Sequence, residues 1–391
     1  MRRAIAIFGS VLLWAVVVLC SAIVIVPRFL DRIYYEGPAS DHFDAARFFN
    51  PDGEDTAAPP TGGSRTNFFL RYLLKDDGRP EWPIKVPVTP SKPAARVEGQ
   101  RMVVTWIGHA TVLIQTQGLN ILTDPIWSET SGPFGLGPKR VIEPGVRFSD
   151  LPKIDVVLIS HDHYDHMSLP TLKQLWDRDR PLIITSLGND AVMSGVKSVA
   201  RDWGGRVNLR PGIDVIVTRN HHWGTRFMVD RNRALWSSFV VTLPGGNLFY
   251  AGDTGFGDGK WPSEARRYGP IRLALLPIGA FRFIPGQMSI ASHIGPIDAA
   301  EVFQRLGASR AIAIHWGTFR LSYEARDTPA KLLDAVMNCR ADVGAGRIFT
   351  TVAPGAQTEV GSLLPETAAI RPVTRDQVVR CLDTPQVRSL R

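Results

Sequence analysis

The sequence predicts an α/β fold: two β-rich halves packed as a sandwich of sheets with helices outside, behind one apolar helix at the amino terminus. Three observations lead there. Short β-branched runs ending in turn residues recur from Met102 to Gly317. They fall into two successive groups, each with its own helical segments, and no short-period repeat is visible. The stretch Ala4 to Val26 carries no charge at all.

That first stretch, as a helix, is about 34 Å long, enough for a bilayer core of about 30 Å. It exceeds the apolar region of a usual signal peptide, and no A-x-A cleavage site follows it. Leu19 before Cys20 is a poor fit to a lipoprotein cleavage site. An uncleaved anchor is the reading; a cleaved signal peptide and a buried core helix are its rivals. Arg2 and Arg3 before the stretch, with the terminal amine, favour the amino terminus inside, although Arg28 and Arg32 follow it. The body is then expected on the outer, periplasmic or extracytoplasmic side.

The anchor and its flank occupy residues 1–36. Residues 37–96 read as an irregular arm rich in Pro, Gly and Asp. Its aromatics Phe43, Phe48, Phe49, Phe68, Phe69 and Trp82 argue that it packs on the body, because free linkers are poor in them. Arg65 to Lys75 is a short helix candidate. The body runs over 97–353. MVVTWIG, TVLIQT and NILTDP read as successive antiparallel strands. IDVVLIS (154–160) has an apolar centre suited to a strand buried on both faces, and PLIITS (181–186) is similar. Ser168 to Asp177 is a helix candidate. DVIVTR (214–219), WSSFVVTL (236–243) and NLFYAGD (247–253) open the second group, and LALLPIG (273–279) and RAIAIHWG (310–317) close it. Helices are predicted over Ile297–Leu306 and, from the Thr328-Pro329 start, to about Cys339. Residues 354–391 form a polar tail with no assigned place.

The chain has 391 residues, 44% apolar and 21% charged, an ordinary globular balance for two domains or one large α/β domain. Lys+Arg 45 against Asp+Glu 37 gives +8, which favours acidic partners. Three cysteines, Cys20, Cys339 and Cys381, argue against a disulfide-stapled scaffold and exclude a four-thiolate zinc site.

The chemistry concentrates in His161-Asp162-His163-Tyr164-Asp165-His166, at the end of IDVVLIS. Only nine histidines occur in the chain, and three of them are in this hexapeptide. Imidazole plus carboxylate is a ligand set for zinc, iron or manganese. Six residues cannot close two metal sites, so further ligands are expected at other strand ends. His221-His222, Asp253 and His315 each follow a strand, on loops held by a rigid scaffold. His221 competes with His222 for one ligand position.

HxHxDH, a distant His, an Asp in GDT and a final His resemble the metallo-β-lactamase superfamily. The finer resemblance is to N-acyl-phosphatidylethanolamine-hydrolysing phospholipase D and its bacterial relatives. It rests on WIGHATVLIQTQGLNILTDPIW (106–127), GPKRV (137–141), DRNRALW (230–236), AGDTGF (251–256) and HWGTF (315–319), and covers roughly Gly37 to Asp327. It implies an αββα sandwich with two zinc ions. His161, His163 and His222 would hold one; Asp165, His166 and His315 would hold the other; Asp253 would bridge. The choice of His222 follows from its place directly before the Trp. His293 stands where relatives have a histidine near the substrate, but they read QHxxPEEA where this chain reads SHIGPIDAA, so it is either a catalytic histidine or a structural one.

Two such metals can share a hydroxide of lowered pKa that attacks phosphorus or a carbonyl, with Asp165 and Asp253 orienting the nucleophile. Asp124 in LTDP either orients a ligand histidine or stabilises its turn. His109 in GHAT is either an edge-of-site histidine or a structural one. Lys139 and Arg140 either meet a phosphate or lipid headgroup or form a solvated basic loop. The leading expectation is a membrane-tethered dinuclear zinc phosphodiesterase acting on phospholipid. A lactonase or small phosphate-ester hydrolase is the alternative, and a non-catalytic metal-stabilised envelope protein the other. Nucleic acid is not an expected partner. A di-iron redox protein is disfavoured, because relatives of that kind carry Glu at the position of His163 and a flavin domain.

Overall fold

The computed structural model describes residues 2–53, 78–227, 229–283, 292–340, 346–365 and 373–390. The helix candidate at 65–75, with Phe68 and Phe69, lies outside them. Helix α1 spans Arg2–Leu30 with Pro27 in its last turn. Its segment Ile7–Leu30 is long and apolar enough, by length and composition, to cross a membrane.

Two seven-stranded sheets follow among the described residues. The first contains β1 (Met102–Gly108), β2 (Thr111–Thr116), β3 (Leu119–Thr123), β4 (Val156–Ile159), β5 (Leu182–Ser186) and β6 (Ser198–Arg201). The second contains β7 (Arg206–Arg210), β8 (Ile213–Thr218), β9 (Ser238–Val241), β10 (Asn247–Tyr250), β11 (Ile271–Pro277), β12 (Arg310–Ile314) and β13 (Ile348–Thr350). Strand β14 (Gln357–Glu359) returns to the first sheet and pairs antiparallel with β1. The orders are β14-β1-β2-β3-β4-β5-β6 and β13-β12-β11-β10-β9-β8-β7. In each sheet an antiparallel part joins a parallel part, at β3 and at β10.

The period of two explains the layers. Val112 and Ile114 of β2 face the other sheet and meet a core that includes Val217, Phe239 and Tyr250. Leu113 between them faces outward, toward Leu172 and Leu175 of α2 (Leu169–Asp179). Strand β4 is buried on both faces: Val156 and Leu158 sit in the inter-sheet core, Val157 and Ile159 in the outer one. The short helices α3 (Asn189–Val192) and α4 (Trp261–Arg266) follow β5 and β10. On the far side α4, α5 (Pro296–Leu306) and α6 (Thr328–Cys339) cover the second sheet through Trp261, Phe303 and Leu333.

The arm is irregular and packed. Phe43 and Phe48 bury against Leu235 and Trp236. Farther on, Trp82 Nε1 donates to Glu324 O at 3.1 Å, and Gln115 Nε2 to Ala94 O at 2.8 Å.

The carboxyl-terminal segment departs from the expectation of an unplaced polar tail. Besides β14, it forms α7 (Arg375–Cys381) and α8 (Pro385–Arg388). Val378 and Leu382 pack on Leu332 and Val336 of α6. A disulfide joins Cys339 to Cys381 with Cα atoms 6.0 Å apart. The low cysteine count excludes a stapled scaffold but not this single bond, which the spacing of the cysteines does not announce.

Candidate metal centre

Strands β1, β3 and β4 run in one direction in their sheet, as do β8, β10 and β12 in theirs. Their carboxyl ends form one edge of the sandwich. His109 follows β1, Asp124 follows β3, the hexapeptide follows β4, His222 follows β8, Asp253 follows β10 and His315 follows β12. Three of these residues have left-handed backbones: His109 at φ 54°, Asp124 at 29° and His315 at 59°. Such strain in non-glycine residues concentrates at functional sites. Gly252, at φ 63°, lets the end of β10 pass Ser160; a Cβ there would stand 2.6 Å from Ser160 Cβ.

The donors fall into adjoining groups whose ligand atoms lie within 4.8 Å of one another. One group is His161, His163 and His222; a second is Asp165, His166, His315 and His109; a third is His222, Asp253 and His293. His161 Nε2 and His163 Nδ1 are 2.7 Å apart, two ring nitrogens converging on one point. Asp253 Oδ2 stands between the groups, 3.1 Å from both His166 Nε2 and His315 Nε2. Asp165 Oδ2 lies 3.6 Å from His166 Nε2 and 3.7 Å from His315 Nε2. His293 Nδ1 is 3.7 Å from Asp253 Oδ2.

An outer layer sets the orientation of these rings. His166 Nδ1 donates to Asp124 Oδ2 at 2.6 Å. His161 Nδ1 meets Ser160 Oγ at 2.9 Å, and Ser160 Oγ in turn donates to Asp124 Oδ2 at 2.5 Å. Ser160 N and the Tyr250 hydroxyl complete the bonding of that carboxylate. His222 Nδ1 donates to Ser292 O at 2.9 Å, and His109 Nε2 to Asp165 Oδ2 at 2.9 Å. For His166, His161 and His222 the nitrogen facing away from the cluster is satisfied, which leaves the other for a cation; His109 instead steadies Asp165.

Burial and the facing carboxylates compete in the electrostatics. Burial pushes His161 and His222 well below the ordinary histidine value and His163 to about 3, so all three stay neutral. Burial opposes charge on Asp253, but His166, His315 and His293 outweigh it and hold its carboxyl well below the usual range. Burial likewise opposes charge on His315, yet Asp253 and Asp165 raise it to about 9. The carboxylates thus hold positive charge at this spot.

The donor set fits bound metal. His222 Nε2 and Asp253 Oδ1 are buried without a hydrogen-bond partner, a cost of about 1–3 kcal/mol each that a cation would remove. Imidazoles with two carboxylates are the ligand chemistry of zinc, iron or manganese.

The remaining candidates divide. Asp124 and His109 lie at the centre as orienting partners, a role their isolated positions in the sequence left open. His221 stands apart from the donor groups, and its Nδ1 donates to Asp52 of the arm at 3.0 Å. Arg140 is a correction. Its guanidinium donates to the carbonyls of Ser128, Ile142 and Ile126 at 3.0, 3.3 and 3.0 Å, so it holds its own loop rather than a substrate phosphate. Lys139 beside it is exposed. Ser160, Tyr250 and Asp52 carry no signal of their own in the sequence, as a serine before a histidine, a tyrosine in a strand and an aspartate in the arm.

The profile of the β-lactamase superfamily domain matches residues 119–316. The chain belongs to the metallo-β-lactamase superfamily. As a member it is a metal-dependent hydrolase. It is 33% identical over 249 residues to N-acyl-phosphatidylethanolamine-hydrolyzing phospholipase D 1 of Caenorhabditis elegans, covering 59% of this chain and 69% of that one. The mitochondrial enzyme of the same name from Saccharomyces cerevisiae is 33% identical over 238 residues, 59% of this chain and 50% of that one. Among solved structures, a metallo hydrolase from Ignicoccus hospitalis superposes with a TM-score of 0.50 at 17% identity, covering 66% of this hydrolase and 98% of that chain. That likeness is one of fold.

Proposed function

We infer that this metallo-β-lactamase-fold hydrolase is a dinuclear zinc phosphodiesterase acting on phospholipid of the N-acyl-phosphatidylethanolamine type. The observation that carries the reading is the pair of adjoining donor groups that meet at Asp253. His161, His163 and His222 would hold one ion; Asp165, His166 and His315 would hold the other; Asp253 would bridge. Bound there, such a pair supplies a nucleophile at neutral pH and stabilises charge developing on phosphorus oxygens. The names of the two similar phospholipases support the lipid class. So does the apolar helix α1, read as an uncleaved single-pass anchor.

In the reaction, water adds to phosphorus, the P–O bond to the alcohol breaks, and the leaving oxygen takes up a proton. Asp165 and Asp253 supply the negative charge that orients the reacting centre. His109 fixes Asp165, and Asp124 fixes His161 and His166. His293, beside Asp253, is the imidazole assigned to carry the proton. The Cys339–Cys381 disulfide supports an outer, oxidising location for the body, since such bonds are rare in the cytosol.

The test is incubation of detergent-purified protein with N-acyl-phosphatidylethanolamine and with phosphatidylethanolamine, followed by mass spectrometry for phosphatidic acid. Chelated protein and Asp253→Asn run in parallel. Metal-dependent phosphatidic acid, lost in both controls, is the expected result. None from folded, metal-loaded protein would overturn the lipid reading and leave a lactone or soluble phosphate ester as substrate.

A further inference from the structure

A narrow loop leaves the rim of the metal centre between Ser128 and Arg140. Arg140 N donates to Glu129 O at 2.8 Å and Ser131 N to Pro138 O at 3.0 Å, so the loop closes on itself. Pro133 to Gly137 form its tip. There Phe134 is 94% exposed and Leu136 66% exposed. Parallel pairing of Val86 with Ile142 sets Ile84, 96% exposed, alongside the loop's base. The tip is a built feature: Phe134 is held at φ 54°, and Leu136 N donates to Pro133 O at 2.9 Å. Bare apolar side chains on a shaped protrusion mark an interaction surface.

Contacts tie this loop to the end of α1. The Arg32 guanidinium lies 5.7 Å from the Phe227 ring centre, and Tyr34 donates to Asp230 at 2.8 Å. Arg226, next to Phe227, donates to Met167 O at 3.0 Å. Ser168, next to Met167, bonds Ser128 at the loop's base at 3.0 Å. At the loop's other end Arg140 stacks on Phe319, whose ring meets His109 edge-on at 5.1 Å. The end of α1, the loop base and the metal centre therefore share one rim.

We propose that Phe134 and Leu136 are a second membrane contact, dipping into the headgroup region of the bilayer that holds α1. An aromatic and an aliphatic tip suit that boundary, and the exposed Lys139 at its base suits anionic headgroups. The lipid surface is the occupant because the apolar helix ends on the same rim. Held at two points, the body turns the mouth of the metal centre toward lipid. The inference rests on α1 being an anchor, as proposed above, and not on which bond the enzyme cleaves.

The full chain, reconstituted in phosphatidylcholine–phosphatidylglycerol liposomes, carries an environment-sensitive fluorophore at one cysteine. Unreduced wild type is labelled at Cys20, inside α1, as the positive control. Phe134→Cys and Gln100→Cys are labelled in a Cys20→Ser background. Gln100 lies at the opposite end of β1, about 20 Å from the rim at the rise of a strand. Nitroxide-bearing lipids are the quenchers. Quenching and a blue shift at 134 approaching those at Cys20, with neither at 100, are the expected result. A water-exposed label at 134 beside a quenched Cys20 would overturn the proposal. So would a blue shift that lipid nitroxides do not quench, which would put the tip against a second copy of this chain. An unquenched Cys20 would remove the anchor, and this inference with it, while the phosphatidic acid assay would still stand or fall by itself.

Discussion

Asp124 Oδ2 accepts the Nδ1 proton of His166 at 2.6 Å, although the residues are 42 positions apart and both side chains are fully buried. The same oxygen receives Ser160 Oγ, which meets the ring of His161. One carboxylate therefore orients a histidine from each of two adjoining donor groups. Asp124→Asn keeps the shape but loses an acceptor for charged or polar donors. It is expected to lower metal affinity by about 10–100-fold, the usual effect of losing such a partner. If two ions bind as proposed, both are expected to weaken together. Metal content after dialysis, with circular dichroism as a check on folding, measures this; loss of one ion alone would contradict the shared orientation.

Gly252 offers a sharper test of packing around the same serine. An added Cβ would stand 2.6 Å from Ser160 Cβ, and the residue sits at φ 63°. Gly245 has a comparable φ of 85°, but its added Cβ would meet only the movable end of Gln100. Alanine at a positive φ costs at least about 0.4–1 kcal/mol at either place. Gly252→Ala is expected to lose metal as well as stability, because Ser160 and His161 must shift. Gly245→Ala is expected to lose stability alone. Paired thermal melts and metal analysis separate the two.

The strands that hold these residues were legible because their β-branched runs end abruptly in Gly, Asp or His. Strands β6 and β7 were not, since SVAR and RVNLR are half exposed and mix charge with apolar residues. Strand β14 spans only three residues and is recognised by its partner β1, not by its composition. The hexapeptide announced a metal by density of donors. Asp124 and His109 each stand alone in the sequence, and only the shared edge of two sheets brings them to the rings they orient. Asp52 and Asn50 of the arm were invisible for the same reason, yet they hold His221 and the carbonyl of His222.

The docking of the arm is expected to depend on pH. His42 is buried, with Nε2 2.7 Å from Asp202 and Nδ1 2.6 Å from Asp41, over the Trp203 ring. Burial disfavours its charged form, but the hydrogen bonds and charges of Asp202 and Asp41 outweigh that and raise its pKa above the ordinary value of 6.5. A raised folded pKa stabilises the fold fully below the unfolded value, and that gain disappears as pH rises through the folded value. The melting temperature of wild type is thus expected to exceed that of His42→Gln most in acid. The gap should close as pH rises through the raised folded value. Asp41 is exposed, so added salt should narrow the gap further. A gap that is constant with pH would mean that stacking on Trp203, not charge, holds the arm.

The disulfide joins the end of α7 to the end of α6, across a sequence separation of 42. Closing a loop of that length in the unfolded chain stabilises a protein by about 2–4 kcal/mol. Cys381→Ser is expected to lower the melting temperature and to free Val378 and Leu382 from Leu332 and Val336. Metal content should stay unchanged, because neither α6 nor α7 contributes a ligand. The same bond reports the side of the membrane. Cells lysed directly into an alkylating reagent without reductant should yield protein alkylated at Cys20 alone, with Cys339 and Cys381 reacting only after reduction. Alkylation of all three would put the body in a reducing compartment and reverse the orientation proposed for α1. Helix-end charge is weak evidence for that orientation, since Arg2, Arg3, Arg28 and Arg32 flank the apolar stretch on both sides. Cysteine redox state does not depend on that balance, so it decides the matter independently.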